Sequence, residues 1–165
     1  MDLGSAIAYS CNSYFRVLTE DLNSADLSLT ADHFGIEPPD DTAAGMELAG
    51  LGPRWRVSPL HMAHAYIALL RNRENPAVSQ ILAGMERSAR EGTGAEADRV
   101  LGPRGALVKT GTAVCTDARH APGDGFAMVL APAEEPRILL MVRMHGVPGS
   151  RAARTAGQML KRIRE

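Results

Sequence analysis

The stretch that most constrains this chain is LVKTGTAVC, Leu107 to Cys115. Its β-branched and small residues predict a strand rather than a helix. Lys109 is one of only two lysines; the other, Lys161, stands four residues from the last position. Gly111 removes a side chain where something must come close to the backbone. Lys109, Thr110 and Thr112 then set a cation and two hydroxyls around that bare patch. The combination suits an extended ligand with a carboxylate laid along the strand.

The segments around it alternate between helical and extended patterning. From Leu3 to Leu22 the pattern is helical with a break near Ser10, and Tyr14, Phe15, Leu18 and Leu22 repeat at helical spacing after it. Such a break puts Ser10 and Asn12 on a connection between helices, facing a cleft. The same two residues also suit simple helix caps. A short helix over LTADHFG starts at Thr30 and stops at Gly35. Ile36 to Arg56, with its prolines, glycines and paired aspartates, predicts an irregular loop packed by Met46, Leu48, Leu51 and Trp55.

Ser58-Pro59 and Asn75-Pro76 are helix starts. The first helix is expected to bury Leu60, Ala63, Ile67 and Leu70; the second uses Val78, Ile81, Leu82 and Met85 and ends before Gly92. EGTGAEADRVLGPRGA is a turn-rich connection without the phosphate-loop pattern GxxxxGK[ST]. DARHAPGDG is a polar hairpin loop. Phe126–Leu130 and Ile138–Met144 predict two strands joined by PAEEP, the second apolar enough to be central. Gly149–Arg164 predicts a helix with Ala153, Ala156, Met159, Leu160 and Ile163 inward. The sum is an α+β layered fold, helices on a short antiparallel sheet with a C-terminal helix.

At 165 residues and 45% hydrophobic, the chain can bury one core, so a single domain over 1–165 is expected. A net charge of −1 gives no electrostatic case for nucleic acid or an anionic membrane, and 4% aromatics leave little for base stacking. No apolar run approaches ~18 residues, so no membrane segment or signal is expected within the chain. Cys11 and Cys115 make no disulfide framework and read as small hydrophobes, although a shared cleft would bring the thiols close. His61 and His64 fall at i and i+3 without an evident third ligand, and His120, with Asp117 and Asp124 on the loop after K-T-G, reads as loop polarity. No metal or other cofactor is expected. Lys109 alone could also be an exposed lysine guarding a strand edge.

Lys109-Thr110-Gly111 and Ser10-Cys11-Asn12 match K-T-G and S-x-N, two of the three motifs of the serine penicillin-recognising enzymes, in the family's order. RVSPLHMAHAYIALL, EGTGAEA and LAPAEEPRILLMVRM also resemble the transpeptidase domain of penicillin-binding proteins, the β-lactamase-like fold. The resemblance covers nearly the whole chain. It implies an acyl-transfer site without cofactor, on the outer face of the cytoplasmic membrane, for a peptidoglycan stem peptide or a β-lactam-like ligand. By resemblance Ser10 belongs to the proton relay toward the leaving nitrogen, and Asn12 binds the substrate amide. Lys109 sets the pocket's electrostatics and, with Thr110 and Thr112, holds the substrate carboxylate; the Thr112 N–H is one oxyanion donor.

The third motif is missing. S-x-x-K should precede S-x-N by several tens of residues, yet Ala106 stands three before Lys109 and Gln158 three before Lys161. Val108 stands where the family usually has glycine, and Gly125-Phe126 where it usually has an aromatic pair. The expectation is a partial transpeptidase domain without its acylating serine. Either a longer parent supplies S-x-x-K, or the chain is a non-catalytic module binding stem peptide or a wall-synthesis partner. A Ser10/Lys109 hydrolytic dyad is a further alternative. Because the family's sheet takes strands from both ends of the domain, self-association through an exposed edge is also expected.

Overall fold

The computed structural model describes residues 1–102, 105–113 and 123–164. It is α+β, and it divides into two compact units: Met1 with Cys11–Val78, and Asp2–Ser10 with Ser79–Glu165.

In the first unit, α2 (Asn12–Leu18) runs into a 3-10 turn at Thr19–Asp21, followed by α3 (Ser24–His33) and α4 (Pro59–Arg71). Helix α3 begins six residues earlier than Thr30, because Asn23 and Asp26 form a capping box that the hydrophobic pattern does not register. Gly35, at φ +69°, ends it as expected. Helix α4 starts as expected, with the Ser58 hydroxyl accepting from the His61 N–H at 3.1 Å. Leu60, expected inside, is exposed, and Ala65 is the buried residue. The loop before α4 is held less by apolar packing than predicted. Leu48 is buried, but Met46 and Leu51 are exposed. Polar bonds replace them: the Glu47 carboxylate accepts from the N–H groups of Arg54 and Trp55, and the Trp55 indole donates to the Glu37 carbonyl.

The second unit carries the sheet. Strands β1 (Leu107–Ala113), β2 (Asp124–Ala131) and β3 (Ile138–Met144) pair antiparallel in the order β1-β2-β3. Lys109 stands opposite Met128, Gly111 opposite Phe126, and Phe126 opposite Arg143. The central strand is therefore β2, not the apolar β3 that the sequence favours. Among the described residues β3 is an edge, and its residues are half-buried apart from exposed Arg143.

Val108, Ala127, Val129 and Ala131 on one sheet face form a core with Ala152, Ala153, Ala156 and Leu160 of α7 (Gly149–Arg164). Full burial of Leu160 contributes about 2 kcal/mol. Met159 and Ile163, expected inward, are exposed. The segment read as a plain connection contains α6 (Ala95–Leu101), which lies against α7 so closely that a Cβ on Gly157 would sit 2.7 Å from the Ala97 carbonyl oxygen.

Helix α1 (Leu3–Ala8) is capped by Asp2, whose carboxylate accepts from the Ser5 N–H at 2.7 Å. It crosses α5 (Pro76–Glu91) where Gly84 leaves room for Ile7: a Cβ at 84 would lie 2.9 Å from the Ile7 Cβ. The α5 pattern holds, with Val78, Leu82 and Met85 buried.

Candidate functional site

Ser10 sits on the break between α1 and α2, where the helical pattern predicts one. Its φ of +52° is the left-handed conformation, uncommon for a residue with a Cβ, and makes it the only such non-glycine among the described residues. A backbone held there must be over-determined by its surroundings, which is how strained positions persist at functional sites. Its side chain accepts a hydrogen bond from the Nζ of Lys109, which also donates to the Thr110 carbonyl at 2.7 Å. An ammonium has three donors, so among the described residues one remains open.

Lys109 is thus half-buried and bonded, which overturns its reading as an exposed edge lysine. Burial disfavours the charged amine and brings its pKa down from 10.5 to about 8. The cap reading of Ser10 and Asn12 also fails: the residue before α2 is Cys11, no side chain caps that helix, and Asn12 is its exposed first residue. Asn12 belongs to the first unit, while Ser10, Lys109, Thr110, Gly111 and Thr112 belong to the second.

Strand alternation separates the K-T-G side chains. Lys109 and Gly111 share one face, whereas Thr110 and Thr112 point to the other. Thr110 is buried, and its hydroxyl donates to the Thr93 hydroxyl at 2.6 Å. That bond ties Thr110 to the scaffold and leaves no proton on its hydroxyl for a carboxylate. Thr112 is exposed and accepts from the Gly149 N–H at 3.1 Å, so its own hydroxyl proton stays available. Around Gly111 a Cβ would meet nothing within 4 Å among the described residues. The side-chain direction at Gly111 is open, and the close approach expected of this glycine comes from its backbone. A Cβ on Gly149, at the start of α7, would lie 2.5 Å from the Gly111 carbonyl oxygen.

Val108 is fully buried, and its bulk fits because Gly94 faces it; a Cβ at 94 would stand 2.5 Å from the Val108 Cγ1. Two further residues bear on the site. Thr93 lies in EGTGAEA, a stretch that resembles the family but whose composition shows only a turn-rich connection. Asp124, expected as loop polarity, is instead buried at the start of β2, where it binds the Arg143 guanidinium and the His145 imidazole. Arg143 beside it holds its carboxyl below the usual carboxylate range. Arg143 also stacks over Phe126, 5.7 Å from the ring centroid, on the sheet face that carries Gly111. Cys11 is half-buried and free, while Cys115, Asp117 and His120 lie outside the described residues.

A sequence profile of the penicillin binding protein transpeptidase domain matches residues 1–165. The chain belongs to this family. Structures of transpeptidase-family proteins share its fold at low identity. The transpeptidase domain of the FtsI4 D,D-transpeptidase from Legionella pneumophila has a TM-score of 0.77 at 20% identity, over 98% of this chain and 69% of that one. Pseudomonas aeruginosa PBP2, solved with WCK 5153, gives 0.79 at 18% identity, over 100% of this chain and 48% of that one. Helicobacter pylori PBP2, solved with MreC, gives 0.80 at 17%, over 99% and 40%. The transpeptidase-family chain described here therefore spans about half the length of the last two. No curated protein matches it in sequence.

Proposed function

We propose that this chain is a peptidoglycan-transpeptidase module that keeps the proton-relay and ligand-strand residues of the family while its sequence holds no S-x-x-K serine. The observation that carries the reading is the hydrogen bond from Lys109 to Ser10. A partly dehydrated lysine with a pKa near 8 beside a serine hydroxyl suits a relay that gains and loses a proton near neutral pH. In this reading Ser10 passes a proton toward the leaving nitrogen, and Asn12, two residues on, binds the substrate amide. Lys109 holds the carboxylate of a stem peptide or β-lactam-like ligand on the strand face it shares with Gly111, and Thr112, on the opposite face, takes no part in that contact. Thr110 contributes its carbonyl, which positions Lys109. The place of action is the outer side of the cytoplasmic membrane, by family.

Without S-x-x-K the family's covalent adduct has no attachment point, so the module binds without acylating unless a longer parent completes it. Partner binding in wall synthesis is the related alternative, for which the MreC complex of the Helicobacter protein is the precedent. The whole chain is read as one such module. Intact-protein mass spectrometry after exposure to a reactive penicillin tests the assignment, with Ser10→Ala in parallel. An unchanged mass in both is expected. An adduct on the parent that the variant lacks would make Ser10 a nucleophile and overturn it.

One observation favours a second reading. The bond that suits a relay also suits a Ser10/Lys109 hydrolase, in which neutral Lys109 takes the Ser10 proton as the hydroxyl attacks an ester. An esterase activity that Ser10→Ala leaves intact excludes it.

A further inference from the structure

The turn after α5 reads Gly92-Thr93-Gly94 and is wedged between the end of α1 and strand β1. A Cβ on Gly92 would strike the Ala8 carbonyl, and one on Gly94 would strike Val108. Each glycine marks a place where the turn touches one of the two elements that deliver Ser10 and Lys109. The turn is fixed from behind, since the N–H groups of Gly92 and Gly94 both donate to the Ser88 carbonyl, at 3.0 and 3.1 Å. This arrangement ends a helix on glycine and leaves little freedom. Thr93 spans what remains. Its N–H donates to the Ala8 carbonyl at 3.1 Å, and its hydroxyl reaches the same carbonyl at 3.4 Å while accepting from Thr110 at 2.6 Å.

We propose that Thr93 is a positioning residue that sets the Ser10–Lys109 contact, by tying the end of α1 to the K-T-G strand through one hydroxyl. Ala8 lies two residues before Ser10, and Thr110 follows Lys109 directly. Ser10 occupies a backbone conformation that a serine does not hold unaided, on a short connection with no helix to fix it. The hydroxyl of Thr93 supplies one proton and takes one, so its direction is set at both ends. A valine there has the same shape and neither capacity. It would leave the buried Thr110 hydroxyl without its acceptor and let α1 shift against β1.

The proposal concerns placement, and it acquires catalytic meaning only through the reading of Ser10 and Lys109 given above. Its test therefore reads placement alone, and an inert Ser10 would leave it standing. The two lysines allow this: with 13C at Cε, Lys109 reports the site and exposed Lys161 on α7 is an internal reference. In the full chain Lys109 should titrate near 8. In Thr93→Val its midpoint should rise by about one unit as water reaches the amine, with Lys161 unmoved. Thr93→Ser, which keeps the hydroxyl, should titrate with the parent. A merely structural role would lower the melting temperature of the valine variant without moving Lys109. A folded Thr93→Val that titrates like the parent overturns the proposal. If the valine variant does not fold, the serine variant decides: a midpoint shifted from the parent's overturns it, and a parental one sustains it.

Discussion

Lys109 on β1 donates from Nζ to the Oγ of Ser10 across 99 positions of sequence, and Ser10 meets it with a left-handed backbone. Both residues are in unfavourable states by themselves: a lysine partly withdrawn from water and a serine at positive φ. Neither state is one that stability alone would select.

The first prediction follows from that cost. The Lys109 pKa falls from 10.5 unfolded to about 8 folded, so between those values the unfolded chain binds more protons. Stability conferred at this position is present above pH 10.5 and is lost as pH falls through 8. Lys109→Met removes the charge and this dependence, and should stabilise the fold at pH 7 by roughly 1 kcal/mol after the lost hydrogen bonds are counted. Chemical denaturation of both proteins from pH 7 to 10 checks this. The stability gap should close as pH rises; parallel curves would show that Lys109 is not dehydrated.

A second prediction contrasts two glycines that touch. Gly149→Ala places a Cβ 2.5 Å from the Gly111 carbonyl oxygen, backbone against backbone, so the start of α7 must move off the strand. The expected loss is about 1–3 kcal/mol, with faster amide exchange across Lys109–Thr112 than across β3. Gly111→Ala meets nothing among the described residues and should leave stability within about 0.5 kcal/mol. Its methyl nonetheless enters the open strip beside Lys109, so affinity for any carboxylate ligand on that strip should fall. Equal destabilisation by both changes would contradict the packing.

Several features of this site were legible because their signals are local. The break at Ser10, the K-T-G strand and the Ser58-Pro59 start each rest on a few adjacent residues, and the α+β layering follows from the order of periodicities. What was not legible depends on tertiary neighbours. The burial of Thr110 comes from Thr93, seventeen positions away, and nothing in either segment announces the pair. Room for Val108 comes from Gly94, in a segment that looked like turn alone. The start of α3 was missed because its capping box is polar and precedes the apolar residues used to find helices. The placement of β3 failed for another reason: a continuous apolar run reports burial on both faces, not the presence of neighbours on both edges.

That last discrepancy carries the final prediction. Strand β3 reads ILLMVRM, and among the described residues it pairs only with β2. Edge strands are ordinarily blunted by charge, proline or a bulge, and Arg143 is the one charge here, drawn toward Asp124 on the neighbouring strand. A long apolar edge of this kind pairs with another strand when one is available. We expect the chain to self-associate with rising concentration, and the amides of Ile138–Met144 to gain exchange protection in step with the mass seen by light scattering. A clean monomer throughout the concentration range, with unprotected β3 amides, would refute edge pairing. Association without added β3 protection would move the contact to another surface.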